Sequence, residues 1–135
     1  MRSQIIIDTN VLVYATFKDS EYYAESYDIL QRSDVIIPYV VLYEYIWVLL
    51  KLTGGDLGIV KLKLNELRDF VIFHEDLDII HDGLVLMEQD KAPYTMLNDY
   101  IILSVVLRRG GAYLATYDQK LRKIANRHGG VAVIP

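Results

Sequence analysis

The sequence predicts an α/β fold with a mostly parallel sheet covered by helices on both faces. Two observations carry this: short β-branched apolar runs alternate with longer helical segments, and turn residues separate them. Gln4 to Ile7 is an apolar run broken by Asp8, Thr9 and Asn10, which reads as a buried strand ending in a functional-looking turn. Glu21 to Arg32 has helical character, and Val35 to Ile37 forms a second strand stopped by Pro38. Val40 to Leu52 is too long for a strand and ends at Gly54 and Gly55, which predicts a buried helix. Asp56 to Asp69 is amphipathic despite Gly58. Phe70 to Phe73 is a short strand before a charged helix from about Asp78 to Lys91. The apolar helix from Leu97 to Leu107 ends in Arg108, Arg109, Gly110 and Gly111, with cations on the negative pole and glycine to turn the chain. Ala112 to Thr116 is a strand, Gln119 to Arg127 a basic helix, Gly129 and Gly130 a turn, and Val131 to Ile134 a fifth strand. Folds of this kind bind ligands at the carboxyl ends of the strands, and Asp8 and Asp118 both stand just past strand ends.

Composition sets the bounds. A chain of 135 residues with 53% hydrophobic and 24% charged residues reads as one domain, residues 1–135, able to bury a core. No apolar run is long enough to span a membrane and no secretory signal is readable, so the expected location is the cytoplasm, with no membrane partner. Zero Cys excludes a disulfide framework, thiolate metal sites and a Cys nucleophile, leaving oxygen or imidazole to hold any metal. The net charge of −4 argues against coating nucleic acid by bulk charge, while a local grip on a polyanion stays open.

The informative feature is where acids occur inside apolar stretches, because an ionised carboxylate removed from water needs a cation, a hydrogen-bond cage or a proton. Asp8 is the only charged residue between Arg2 and Lys18, and Glu44 sits mid-way along an apolar helix. Asp99 is the only charge between Lys91 and Arg108, and Asp118 the only one between Arg109 and Lys120. Singly, Asp99 and Asp118 read equally well as helix caps. Glu44 does not, because Val40, Val41, Trp47 and Val48 share its helical face and leave it little access to water. If all four converge at one sheet edge, their repulsion becomes affinity for a hard divalent cation, Mg²⁺ or Mn²⁺. Thr9, Asn10, Asn98 and Thr116 lie beside these acids and can orient carboxylates or water, although turn chemistry would select the same residue types.

Other chemistries find little support. His74, His81 and His128 are dispersed without the pairing zinc sites use, and no GxSxG elbow, P-loop or GxGxxG occurs. Tyr39, Tyr43 and Tyr45 read as core residues of a buried helix. Six of the 14 Lys and Arg fall between Arg108 and Arg127, and with Asp118 the only acid there the segment carries +5. Arg108, Arg109, Lys120, Arg122 and Lys123 are therefore candidate phosphate contacts beside the acids, or else a solvated helix face.

These residues resemble the PIN-domain nucleases, particularly the small VapC-like toxins of prokaryotic toxin–antitoxin systems. The resemblance rests on Ile-Ile-Ile-Asp-Thr-Asn-Val-Leu-Val-Tyr at Ile5 to Tyr14, Glu44 in the second predicted helix, Asn98-Asp99 followed by Tyr-Ile-Ile-Leu, and Leu-Ala-Thr-Tyr-Asp-Gln-Lys-Leu at Leu114 to Leu121. It implies a PIN-like three-layer α/β/α sandwich with a mostly parallel five-stranded sheet. It also implies endoribonuclease activity, with Asp8, Glu44, Asp99 and Asp118 holding one or two Mg²⁺ or Mn²⁺ ions. Within that picture Asp8 and Asp99 are the principal ligands, Glu44 a ligand or water-orienting base, and Asp118 the ligand of a second ion. A VapB-like antitoxin and a homodimer are implied as partners. One departure is visible: the helix carrying Glu44 begins at Pro38 and Tyr39, where these proteins often have a Ser or Thr cap. The rival readings are a PIN nuclease of RNA processing that is not a toxin, and a non-catalytic acidic-pocket module for binding or phosphoacceptance.

Overall fold

The computed structural model describes residues 4–32, 34–129 and 131–135. Arg2 and Gly130 therefore lie outside it. In chain order the elements are β1 (Ile5–Ile7), α1 (Thr9–Thr16), α2 (Tyr23–Leu30), β2 (Val35–Pro38), α3 (Tyr39–Leu52) and α4 (Leu57–Asn65). They continue with β3 (Val71–Phe73), α5 (Leu77–Asp90), a single 3-10 turn at Tyr94–Met96, α6 (Leu97–Arg108), β4 (Tyr113–Ala115), α7 (Gln119–Arg127) and β5 (Ala132–Ile134). All five strands run parallel in the order β3-β2-β1-β4-β5. The expectation of a mostly parallel sheet is met in full.

The chain starts in the middle of the sheet, builds outward through β2 to β3, then crosses back to β4 on the other side of β1. Right-handed crossovers then assign α1 to α4 to one face and α5 to α7 to the other. Within each group α1 contacts α2 and α3, α3 contacts α4, and α6 contacts α5 and α7, while α3 and α6 meet each other across the groups. The reversal leaves a crevice at the carboxyl ends of β1 and β4, where the chain leaves in opposite directions. Covered on both faces, β1 needs an unbroken apolar sequence, and Ile5, Ile6 and Ile7 are all buried. For the same reason α6 is buried continuously from Tyr100 to Val106, so its sequence shows almost no polar stripe.

Three sequence expectations change. The turn expected at Asp8 to Asn10 is the start of α1; Val-Leu-Val-Tyr at Val11 to Tyr14 has strand-like composition, and packing of Val11 and Leu12 into the core overrides it. Of the tyrosines read as core, Tyr45 is buried, Tyr39 is half-buried and Tyr43 is 66% exposed. Trp47, expected to shield Glu44, is 64% exposed, because α3 turns only one side onto the sheet. Elsewhere the differences are at element ends: α4 stops at Asn65, short of Asp69, and β2 includes Pro38, paired with Phe73. No helix among the described residues is long and apolar enough to cross a membrane.

A glycine within α5 lets that helix approach α6 closely. A Cβ on Gly83 would lie 3.2 Å from the Tyr100 carbonyl oxygen of α6. Gly83→Val therefore forces α5 off α6 and is expected to lower stability by about 2 kcal/mol, the usual cost of overpacking, as read by urea denaturation.

Candidate active site

Helices α1, α3, α5 and α7 each follow a strand directly and so begin at the carboxyl edge of the sheet, where their exposed N–H groups and positive poles favour anions. Asp8 caps α1, its Oδ1 accepting from the Thr9 backbone N–H at 2.7 Å. Asp118 caps α7, its Oδ1 accepting from the N–H groups of Lys120 at 2.8 Å and Leu121 at 3.4 Å. Asp99 lies in the first turn of α6, and Glu44 lies in the second turn of α3. The capping and site readings of Asp118 are thus compatible: one carboxylate oxygen serves the helix and leaves the other free.

The remaining polar neighbours tie these acids together. Thr116 Oγ1 donates to Asp8 Oδ2 at 2.7 Å and accepts from the Asp118 N–H at 3.0 Å, coupling the ends of β1 and β4. The Asp8 N–H donates to the Ala115 carbonyl at 2.9 Å across the same seam. Thr9 Oγ1 donates to Glu44 Oε1 at 2.9 Å, linking α1 to α3. Asn10 Oδ1 accepts from the Tyr117 N–H at 3.1 Å and holds the β4–α7 loop. Asn98 instead lines a cavity with Tyr43, Glu44, Trp47 and Val48.

Asp8 and Asp99 sense the charges of the neighbouring acids. Burial pushes Asp8 up to about 6 against the hydrogen bonds from Thr116 and Thr9, and the charges of Glu44 and Asp118 push the same way. Asp99 rises to about 7, through burial first and then the charges of Asp118, Asp8 and Glu44, with Lys120 opposing. This is an all-oxygen donor set with surplus negative charge, which fits a hard divalent cation and disfavours a soft one. Among the described residues no three acidic or histidine side chains stand together closely enough to hold a metal ion as they are placed.

The basic residues divide. Arg108 pairs with Asp82 at 2.5 Å, and Arg109 donates to Gln4 Oε1 at 2.7 Å with its guanidinium 4.5 Å from the Phe73 ring centre. Both stand at the opposite end of α6 from Asp99, about 15 Å away at 1.5 Å per residue. Arg122 donates to the carbonyls of Thr116 at 3.3 Å and Pro135 at 2.9 Å. Proximity in sequence misplaced Arg108 and Arg109, because a helix carries its two ends to opposite edges of the sheet. Lys120, near Asp99, and Lys123 stay exposed on α7. His128 bonds Asp90 at 2.8 Å, away from the acids.

Sequence reading missed Glu75. Its Oε2 and Oε1 accept from the backbone N–H groups of Tyr39 at 2.8 Å and Val40 at 2.9 Å. A carboxylate from the β3–α5 loop therefore caps the helix that carries Glu44, in place of the Ser or Thr that Pro38 displaces. The missing local cap was the only signal in the sequence, and it could not say where a substitute would come from.

The PIN-domain sequence profile matches residues 5–127, and the chain belongs to the PIN-domain family. Its fold is similar to Mycobacterium tuberculosis VapC20, a sarcin–ricin loop cleaving toxin, at 16% identity and TM-score 0.75, covering 98% of this chain and 100% of that one. It is also similar to VapBC2 from Rickettsia felis, solved bound to a fragment of promoter DNA, at 22% identity and TM-score 0.68, covering 96% of each. A third is FitAcB from Neisseria gonorrhoeae, at 20% identity and TM-score 0.65, covering 98% of this chain and 97% of that one. No curated protein matches the chain significantly in sequence.

Two outcomes follow from this geometry. Asp8 and Asp99 hold protons in the fold that the unfolded chain, with carboxyls near 3.8, has already lost, so the metal-free protein loses stability as pH rises from about 4 through 7. Thermal melts are expected to show a lower Tm at pH 8 than at pH 5 without metal, and a larger Mg²⁺- or Mn²⁺-induced rise at pH 8. Glu75→Ala strands two N–H groups at the start of α3 and should cost about 1 kcal/mol in urea denaturation, in line with loss of a helix cap.

Proposed function

We propose that this protein is a divalent-metal-dependent endoribonuclease, the toxin of a toxin–antitoxin pair, working in the cytoplasm. The observation that carries the reading is the electrostatic coupling of Asp8, Glu44, Asp99 and Asp118 at the switch point of a PIN domain. One or two Mg²⁺ or Mn²⁺ ions would be held by these acids, with Asp8 and Asp99 as principal ligands and Asp118 for a second ion. When bound, the metal supplies Lewis acidity at a phosphodiester and offsets the charge that would otherwise repel it. The chain's own groups do the rest. Thr116 and the Thr9 N–H fix the Asp8 carboxylate, and Thr9 Oγ1 holds Glu44 where it can orient water or ligate. Lys120 and Lys123 contact phosphates along the strand; Arg122 braces the Asp118 loop, and Arg108 and Arg109 leave the substrate path. The toxin role and a VapB-like antitoxin are supported by the sequence resemblance and by the toxins and toxin–antitoxin complexes among the similar folds, and a homodimer by the sequence resemblance alone.

The test is cleavage of labelled single-stranded RNA with Mg²⁺ or Mn²⁺, with and without chelator. Asp8→Asn and Asp99→Asn are each expected to lower the cleavage rate by at least about 100-fold, the scale for losing a transition-state electrostatic contact, while circular dichroism stays native. Full activity in either variant, or in chelator, refutes the assignment.

A further inference from the structure

The function proposed above needs the acids and the phosphate contacts, and it leaves unused the most exposed aromatic surface on the helix that carries Glu44. Tyr43 and Trp47 are 66% and 64% exposed and stand four residues apart, so they share one side of α3 and flank Glu44. Together with Glu44, Val48 and Asn98 they line a cavity of about 460 Å³. Two of those walls belong to the acidic centre: Glu44 is bonded to Thr9, and Asn98 immediately precedes Asp99. One turn beyond, the Lys51 ammonium lies 5.3 Å from the Trp47 ring centre. From Glu44 to Lys51 the helix rises about 10 Å, the scale of a nucleotide step or two.

We propose that this cavity is a nucleobase subsite. An unpaired base of the RNA strand beside the scissile phosphate stacks on Trp47, with Tyr43 flanking, the Asn98 amide available to a base edge and Lys51 to the next phosphate. The inference rests on the ribonuclease reading above and deepens it. Aromatic side chains set between the acidic residues on one side and the Lys51 ammonium, which lies over the Trp47 ring, on the other match the alternation of base and phosphate along a single strand. The subsite accepts only unstacked bases, so it selects single-stranded or looped RNA over regular duplex.

Trp47 is the one tryptophan of the chain, so its emission reports the subsite directly. In Mg²⁺, the full-length Asp8→Asn protein is titrated with a single-stranded oligoribonucleotide and with an abasic ribose-phosphate oligomer of the same length. Saturable quenching by the first and little by the second is expected. In cleavage assays Trp47→Ala is expected to raise KM roughly tenfold, the order of one lost base stack, with kcat little changed, whereas Trp47→Phe restores most of the affinity. The exposed position makes Trp47→Ala innocuous to folding, which a thermal melt checks. Equal response to both oligomers, in a protein whose wild type cleaves RNA, overturns the subsite and leaves the nuclease reading standing. Base-dependent quenching in a protein whose wild type cleaves nothing supports the subsite and removes the nuclease reading. A buried-indole emission without RNA, with a dimer that Trp47→Ala converts to monomer in sedimentation, overturns the proposal in favour of a second copy of this chain as occupant.

Discussion

The hydrogen bond from Thr116 Oγ1 to Asp8 Oδ2 spans 108 residues of sequence and closes the seam between the ends of β1 and β4. It answers the constraint on which the site depends: a carboxylate held in the core must be partnered, and Asp8 is 5% exposed. A hydrogen bond to a charged acceptor contributes about 1.5–3 kcal/mol, and Asp8 receives two, from Thr116 and from the Thr9 N–H. These do not overcome burial, since the carboxyl still rises to about 6. Burial is the main reason the carboxyl stays high, and the charges of Glu44 and Asp118 add to it, so the acids at the switch point are not fully compensated from within the chain.

Parallel topology explains why the repulsion collects there. Every strand points the same way, so α1, α3, α5 and α7 each leave a strand at one edge, and Asp99 in the first turn of α6 lies close enough to sense the charges of the acids gathered there. Their positive poles offset part of the cost of the carboxylates, and the N–H groups of α1 and α7 take up one oxygen each of Asp8 and Asp118. Glu75 extends the same economy to α3, where Pro38 leaves the helix without a side-chain cap of its own. The acidic centre thus follows from the same backbone geometry that builds the sheet.

Tyr117 shows how the site is braced from outside. Its ring stacks on Tyr22 at 4.5 Å and meets Tyr14 edge-on at 5.2 Å, while its hydroxyl donates to Glu25 Oε1 at 2.7 Å. The loop carrying Thr116 and Asp118 is fastened to α2 on one side and, through Arg122, to the end of the chain on the other. Such bracing lets acids that repel one another keep a shared position, because neighbouring packing holds each carrier element.

The apolar runs, their alternation with helical segments and the lone acids within them were legible in the sequence, because burial on both faces writes itself as unbroken hydrophobicity and a charge inside such a run stands out. The four-acid set could be named on that basis. Their convergence, the cap from Glu75, the exposure of Tyr43 and Trp47, and the separation of Arg108 and Arg109 from the acids were decided only by tertiary structure. Composition and spacing carry no record of which distant segments meet: Glu75 lies 35 and 36 residues from the N–H groups it caps, and α6 sends its two ends to opposite edges of the sheet. The sequence by itself determined which residues could not rest comfortably in a core, since that is a property of each residue and its neighbours; only the fold decided which of them share one crevice, since that depends on the order in which parallel strands are laid down.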